Sequence, residues 1–378
     1  MFNKKVEIDF DKLDTLILDK NEEFFLVVNK DGIKFEFLIK RKVSSKNLII
    51  FGSGAYNINQ LKPPIFHRYS WSSEIDENVI YYNDPTLYLT DITLAWGYGT
   101  KDKHYLEIIY KILEKLMNIM SIEKRKTIIY GSSGGGFMAI MLATFLKGSV
   151  ALVNNPQVDI SKYYLSQIEK LFMKIYPNEN VQDIFQRNRD RISVVDMFKR
   201  EEYIPRIVYY QNIACDFDMK SQFYPFINSM KSLEESIFYM PIDIKLYYNK
   251  EENHNPLSKN KTINIIKNQL KINNELPQII EIGHKNWIEF SRRQGYSLFR
   301  YEKKINKELV GNKYEIFSNK NKINILSANK IDKFGYGELY SNNKLYIAIE
   351  HRDISENDKF NEADIENYFK NNIISIHY

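Results

Sequence analysis

The chain has 378 residues, enough for one large domain with an appendage or for two domains, and 44% of them are hydrophobic. Its 53 Lys and Arg stand against 48 Asp and Glu, a formal charge of +5, and the positive charges are scattered. No patch supports a nucleic-acid partner, although an acidic substrate is compatible with this balance.

Cys215 is the only cysteine, which excludes an internal disulfide and argues against a thiolate metal cluster. The N-terminus runs into charged sequence without a signal-peptide apolar core, and no stretch approaches the ~18 apolar residues of a membrane span. The expectation is a soluble, cytoplasmic protein. The abundance of Lys, Asn, Ile and Tyr points to an AT-rich bacterial genome.

The first strand is expected at 24–28 and the second, clearly alternating, at 33–39, with an Asn-Lys-Asp-Gly turn between them. A third apolar run, 47–51, ends at Gly52-Ser53-Gly54-Ala55. A fourth, 79–82, is stopped by Asn83-Asp84-Pro85. Leu106, Ile109, Ile112, Leu113, Leu116 and Met120 then mark one face of an amphipathic helix.

The most informative stretch follows. A β-branched run from Thr127 stops at Gly131-Ser132-Ser133-Gly134-Gly135-Gly136, and an apolar helical segment follows to Leu146. The knot matches G-x-S-x-G with Ser133 central, in the strand-turn-helix setting that lifts a nucleophilic serine above an α/β-hydrolase sheet. Glycines are required there because the serine backbone is strained and a Cβ would strike the crossing strand and helix. The competing reading is a phosphate-binding βα turn. No Lys-Ser/Thr pair follows the glycines and G-x-G-x-x-G is absent, so neither nucleotide motif applies.

Short apolar runs at 150–153, 207–210 and 244–248 recur at α/β spacing with helical segments between them. They predict a mostly parallel sheet covered by helices on both faces, with the opening hairpin as its antiparallel edge. The charged, aromatic segment 163–200 is either a helical insertion over the site or a set of ordinary crossover helices. Beyond Glu275, alternating runs at 314–317, 323–326 and 345–349 are separated by Asn-Lys turns. The expected organisation is an α/β-hydrolase-like catalytic domain over 1–275 and a small β-rich module over 276–378.

A serine hydroxyl needs a base to become a nucleophile, and the hydrolase plan orders the triad Ser, Asp/Glu, His. His67 and His104 precede Ser133, while His351 and His377 fall in the C-terminal module. His254, in a polar loop after the 244–248 run, is the expected base, with His284 the alternative. The loop after 207–210 supplies two carboxylates: Asp216 is the first choice for the acid and Asp218 the second. The oxyanion hole is assigned to the amide of Gly134 and to the 52–55 loop, at Ser53 and Gly54.

Trp96 and Tyr98 are candidates for stacking on a sugar ring, against ordinary loop packing, and Arg68 for meeting a carboxylate or phosphate. No residues have metal-ligand spacing, so neither a metal nor a bound cofactor is expected.

Taken together, the Gly131–Gly136 knot and Val153-Asn154-Asn155-Pro156-Gln157-Val158-Asp159-Ile160-Ser161-Lys162-Tyr163 resemble α/β-hydrolase-type proteins of bacterial capsule and surface-glycan loci, some of them capsular polysaccharide O-acetyltransferases. The resemblance covers residues 45–260 and implies Ser133 as nucleophile, Asp216 as acid and His254 as base. This chain departs from the pattern in two places. Asp218-Met219-Lys220 stands where a histidine often lies near the Asp loop, and Asn253 where a glycine often precedes the catalytic histidine. The resemblance favours an O-acetyltransferase acting on a surface polysaccharide, with acetyl-CoA as co-substrate. The alternatives are a serine esterase acting on a carbohydrate or other small ester, and a non-catalytic glycan-binding or secretion-accessory protein on the same fold.

Overall fold

A computed structural model of the chain describes residues 4–89, 91–233 and 237–275, together with the backbone of the strands at 287–293, 296–305, 308–318, 321–326, 338–341 and 343–346. The chain divides into two units, Met1–Lys271 and Ile272–Tyr378.

In the first unit, β1 (Lys5–Asp9) leads into a hairpin of β2 (Glu22–Lys30) and β3 (Ile33–Arg41). There follow β4 (Leu48–Phe51), β5 (Asn78–Tyr82), α1 (Tyr105–Ile119), β6 (Thr127–Ser133), α2 (Gly134–Phe145) and β7 (Val150–Pro156). Four helices come next: α3 (Leu165–Ile175), α4 (Val181–Arg187), α5 (Arg189–Ile192) and α6 (Val194–Glu201). The unit closes with β8 (Tyr203–Ile204), β9 (Arg206–Asn212), α7 (Asp216–Asp218), α8 (Tyr224–Met230), β10 (Phe238–Tyr239), β11 (Ile242–Tyr247) and α9 (Lys259–Glu275), which runs past Lys271 into the second unit.

Nine strands form one sheet in the order β1-β2-β3-β5-β4-β6-β7-β9-β11. From β5 to β11 every neighbour is parallel, while β3 is antiparallel to both β2 and β5. The hairpin joins the sheet as expected but is not its edge. That place belongs to β1, parallel to β2, whose alternately exposed Lys-Val-Glu-Ile-Asp carries too little apolar signal to read as a strand. The small β8–β10 pair lies outside the sheet.

The central strands β4 and β5 are continuous apolar runs because both faces are covered. In β4, Leu48 and Ile50 enter the larger core with α1 and α2, while Ile49 and Phe51 point to the other face, where Ile266 and Leu270 of α9 pack. Burying each such side chain contributes about 1.5–3 kcal/mol. Every residue of α2 is buried, so the helix behind Ser133 is enclosed on all sides, as a helix apolar all round must be. The 163–200 segment resolves into α3–α6, and their Leu171, Phe172, Ile184, Ile192, Met197 and Phe198 belong to the main core.

In the second unit, β12 (Trp287–Arg293), β13 (Tyr296–Ile305), β14 (Glu308–Ser318) and β15 (Asn321–Leu326) form an antiparallel sheet in sequential order. A separate pair joins β16 (Glu338–Ser341) to β17 (Asn343–Tyr346).

Candidate active site

Ser133 closes β6 and opens α2 with φ 53° and ψ −128°, a backbone conformation that L residues rarely adopt. The crowding around it explains why. A Cβ on Gly131 would stand 2.0 Å from the carbonyl oxygen of Gly135, and one on Gly135 would stand 2.9 Å from that of Gly52. Side chains at either position would force strand and helix apart.

The elbow presents Ser133 Oγ 2.9 Å from Nε2 of His254, whose Nδ1 lies 2.6 Å from Oδ2 of Asp218. The Asp218 side chain is 2% exposed and that of His254 43%, so the carboxylate is enclosed and the imidazole is open to solvent. The structure therefore brings Ser133, His254 and Asp218 together. Asp216, the first choice from sequence, is displaced. It opens α7, and two residues on the helix turns about 200°, so only one of the two carboxylates can face inward. Asp216 pairs instead with Lys220 at the surface, at 3.1 Å. His284 lies outside the described residues.

Both partner loops are held by buried asparagines. Asn212, at the end of β9, accepts from the amides of Ala214 and Asn249 and donates to the carbonyls of Asn249 and Asn253. Asn155, near the end of β7, donates to the carbonyls of His254 and Asn255 at 3.1 Å each and accepts from the Asn212 amide. Both asparagines are fully buried. Asn154 adds an acceptor for the amide of Leu257. Immediately before His254, Asn253 adopts φ +47°, where Asn substitutes for the glycine that often occupies this position.

The 52–55 loop lies against the elbow: a Cβ on Gly54 would stand 3.8 Å from that of Ser133. Ser53 fixes this loop by donating to the carbonyl of Ile65 and accepting from the amide of His67, both at 3.0 Å. Gly134 begins α2, so its amide is one of four without an intrahelical partner. Beside the loop is a small pocket lined by Ser53, Gly54, Ile65, Tyr82, Asp84 and Leu94, with room for about one water molecule.

The two aromatic candidates turn inward. Trp96 and Tyr98 are buried, at 0% and 1% exposure, and offer no face to a sugar. The loop that carries them turns inward: the buried carboxylate of Asp84 accepts from the amide of Gly97 at 2.7 Å. The Tyr98 ring lies under the Arg191 guanidinium, and its hydroxyl hydrogen bonds that of Tyr176. Trp96 directs its indole N–H to Oε1 of Gln157. Arg68 is half-buried, donates to Ser132 Oγ at 2.7 Å, and packs on the Trp71 and Tyr130 rings.

The donor atoms of Cys215, Asp218 and His254 lie within 4.8 Å of one another. A metal would require the Cys215 thiolate. Burial, with Asp218 beside it, pushes that thiol up to about 11, and both His254 nitrogens are already engaged. The set reads as a hydrogen-bonded triad with a thiol behind its acid.

Sequence order could not separate Asp216 from Asp218, and it assigned no role to Asn155, Gln157 or Asn212. The one available signal was the clustering of amide side chains at the ends of the 150–153 and 207–210 runs.

No family model matches the chain, and no curated protein matches it. Solved structures do. The chain is similar to the capsule O-acetyltransferase of Neisseria meningitidis serogroup A, at 17% identity over 64% of this chain and 96% of that one, with a TM-score of 0.48. A variant of that enzyme in complex with CoA aligns at 17% identity over 67% and 99% of the two chains, with a TM-score of 0.50. Acetyl xylan esterase 1 from a Thermoanaerobacterium species aligns at 13% identity over 70% and 93%, with a TM-score of 0.44. No helix among the described residues is long and apolar enough to cross a membrane. With the sheet order and the elbow, the likeness establishes the α/β-hydrolase fold.

Proposed function

We propose that this chain is a serine acyl-transfer enzyme, in which Ser133 is the nucleophile, His254 the base and Asp218 the orienting acid. One observation carries the reading: the Ser133–His254–Asp218 relay, at 2.9 and 2.6 Å, is built on a strained elbow. His254 Nε2 takes the Oγ proton as Oγ attacks the acyl carbonyl, and the carbonyl electron pair moves onto its oxygen. The amides of Gly134 and of Ser53 or Gly54 receive that charge. Collapse of the adduct expels the leaving group, which takes the proton back from His254. Asp218 accepts from His254 Nδ1, fixing the tautomer and stabilising the imidazolium without itself taking the proton.

The donor is acetyl-CoA and the acceptor a hydroxyl of a surface polysaccharide. Support comes from the CoA complex of the similar meningococcal enzyme. The second reading is an esterase, favoured by the 43% exposure of the His254 side chain, which leaves water a path to the base.

A fluorophosphonate probe tests the nucleophile. Labelling of the wild type that vanishes in Ser133→Ala is expected, and an unlabelled wild type ends the serine reading. Acetyl-CoA turnover with and without polysaccharide then decides the acceptor: free acetate alone, whatever the glycan, identifies the esterase.

A further inference from the structure

Gln157 lies beyond the triad, yet its side chain reaches Ser133. It is 1% exposed, and its backbone amide donates to the carbonyl of Ser133 at 3.0 Å. Its Nε2 stands 3.4 Å from Ser133 Oγ. A carboxamide can present either its oxygen or its nitrogen, and here the neighbour decides. The indole N–H of Trp96 is a donor only, so Oε1 must face Trp96 and the NH₂ must face Ser133.

Trp96 is in turn held with unusual firmness. It is fully buried in the left-handed region at φ 55°, where a bulky residue is strained, and the Tyr163 ring packs edge-on against it at 5.6 Å. The Asp84 carboxylate clamps the following amide. Strain and burial concentrate on a residue whose one polar atom points at Gln157.

We infer that Gln157 is a further catalytic residue, donating an N–H to Ser133 Oγ, and that Trp96 is the positioning residue that fixes this donor's direction. The inference rests on the serine reading above. In the resting site the Oγ hydroxyl donates a hydrogen bond to His254 and accepts one from Gln157. As His254 takes the proton, the negative charge developing on Oγ strengthens that hydrogen bond. The 3.4 Å separation is the long, resting form of a contact that tightens in the reacting complex. Gln157 forms no covalent bond and exchanges no proton. Its contribution is electrostatic, as a hydrogen bond to a charged atom contributes more than one to a neutral atom.

The test compares kcat and KM for p-nitrophenyl acetate in Gln157→Ala, Gln157→Glu and Trp96→Phe, with melting curves for each. Gln157→Ala is expected to lower kcat about 10- to 100-fold with KM within about twofold. Gln157→Glu keeps the shape but sets a carboxylate oxygen against Oγ, so it should be slower than Gln157→Ala. The added negative charge also favours the imidazolium, moving the acid limb of the kcat/KM profile to higher pH. Trp96→Phe keeps the ring and loses only the donor, leaving the carboxamide free to turn, and should lower kcat about tenfold.

A merely structural Gln157 would rank the variants in the opposite order, with Gln157→Glu the more active. That order, or wild-type kcat in Gln157→Ala, overturns the inference. Should Gln157→Ala fail to fold, the kcat of Trp96→Phe decides, and an unchanged value overturns it equally. A wild type that fluorophosphonate does not label overturns the serine reading itself, so the two failures are distinct.

Discussion

The elbow and the two loops that meet it solve the same problem, that of placing a side chain to within a fraction of an ångström, by opposite means. Around Ser133 the positioning comes from backbone packed against backbone: Gly131 and Gly135 leave no room for a Cβ, and α2 is buried on every side. Asp218 stands on the helical turn α7 and His254 on an irregular, partly exposed loop, and the positioning of their segments comes from side chains at the strand ends. Asn212 and Asn155 supply the acceptors and donors that a loop lacks and a strand obtains from its ladder. The nucleophile is thus set by local sterics and its partners by long-range hydrogen bonds. The first mechanism does not tolerate added volume, and the second does not tolerate loss of a polar group.

The widest separation should appear between the two carboxylates of α7. Asp218→Asn is expected to lower kcat by about 10⁴-fold, because the amide no longer enforces the productive His254 tautomer. Asp216→Asn loses only a surface pair and should stay within about twofold of wild type. Steady-state hydrolysis of p-nitrophenyl acetate reads both, and equal losses would break the assignment of the acid.

Gly131→Ala and Asn212→Ala set the two positioning mechanisms side by side. The added methyl meets the Gly135 carbonyl at 2.0 Å and should cost about 3 kcal/mol or more. Asn212→Ala strips four hydrogen bonds from the loops and should cost about 2 kcal/mol, with a fall in kcat as His254 loosens. Urea midpoints give the order. An Asn212→Ala protein with wild-type midpoint and kcat would show that the loops hold themselves.

A pH slope of stability belongs to the elbow side. His104 packs on Phe145 at the far end of α2, and His67 binds Ser53 through its amide. Burial lowers both imidazoles to about 4 from the ordinary 6.5, with the Arg68 charge adding to the effect at His67 and contacts with Glu107 only partly opposing it at His104. Both are neutral in the fold, while the unfolded chain takes up their protons more readily. Stability is therefore complete above about pH 6.5 and declines as the pH falls towards 4. Melting temperatures at pH 7.5, 5.5 and 4.5 should fall in that order, and less steeply in His104→Leu. An unchanged slope in that variant would remove His104 from the account.

How much of this was legible in the sequence follows the same division. The elbow could be read in full, because its chemistry is written in contiguous residues: a β-branched strand, glycines where no Cβ fits, a serine between them, then an apolar helix. The central parallel strands β4 to β7 were legible for a similar reason, each being a run buried on both faces. Chain order located His254 and the acid loop, and the departure at Asn253 proved to be another residue able to hold a left-handed backbone.

The edge strand β1 escaped because half of its side chains are exposed. The choice between Asp216 and Asp218 depended on which way a single helical turn faces the sheet. The burial of Trp96 and Tyr98 depended on the Asp84 carboxylate turning their loop inward, and composition does not record that. The sequence by itself therefore determined the fold class and the strained elbow at Ser133, because steric and periodic constraints act over a few neighbouring residues. Only the tertiary structure decided which carboxylate meets His254, the asparagine clamps and the Gln157–Trp96 pair, because hydrogen bonds between residues tens of positions apart exist only once the sheet has brought its strand ends together.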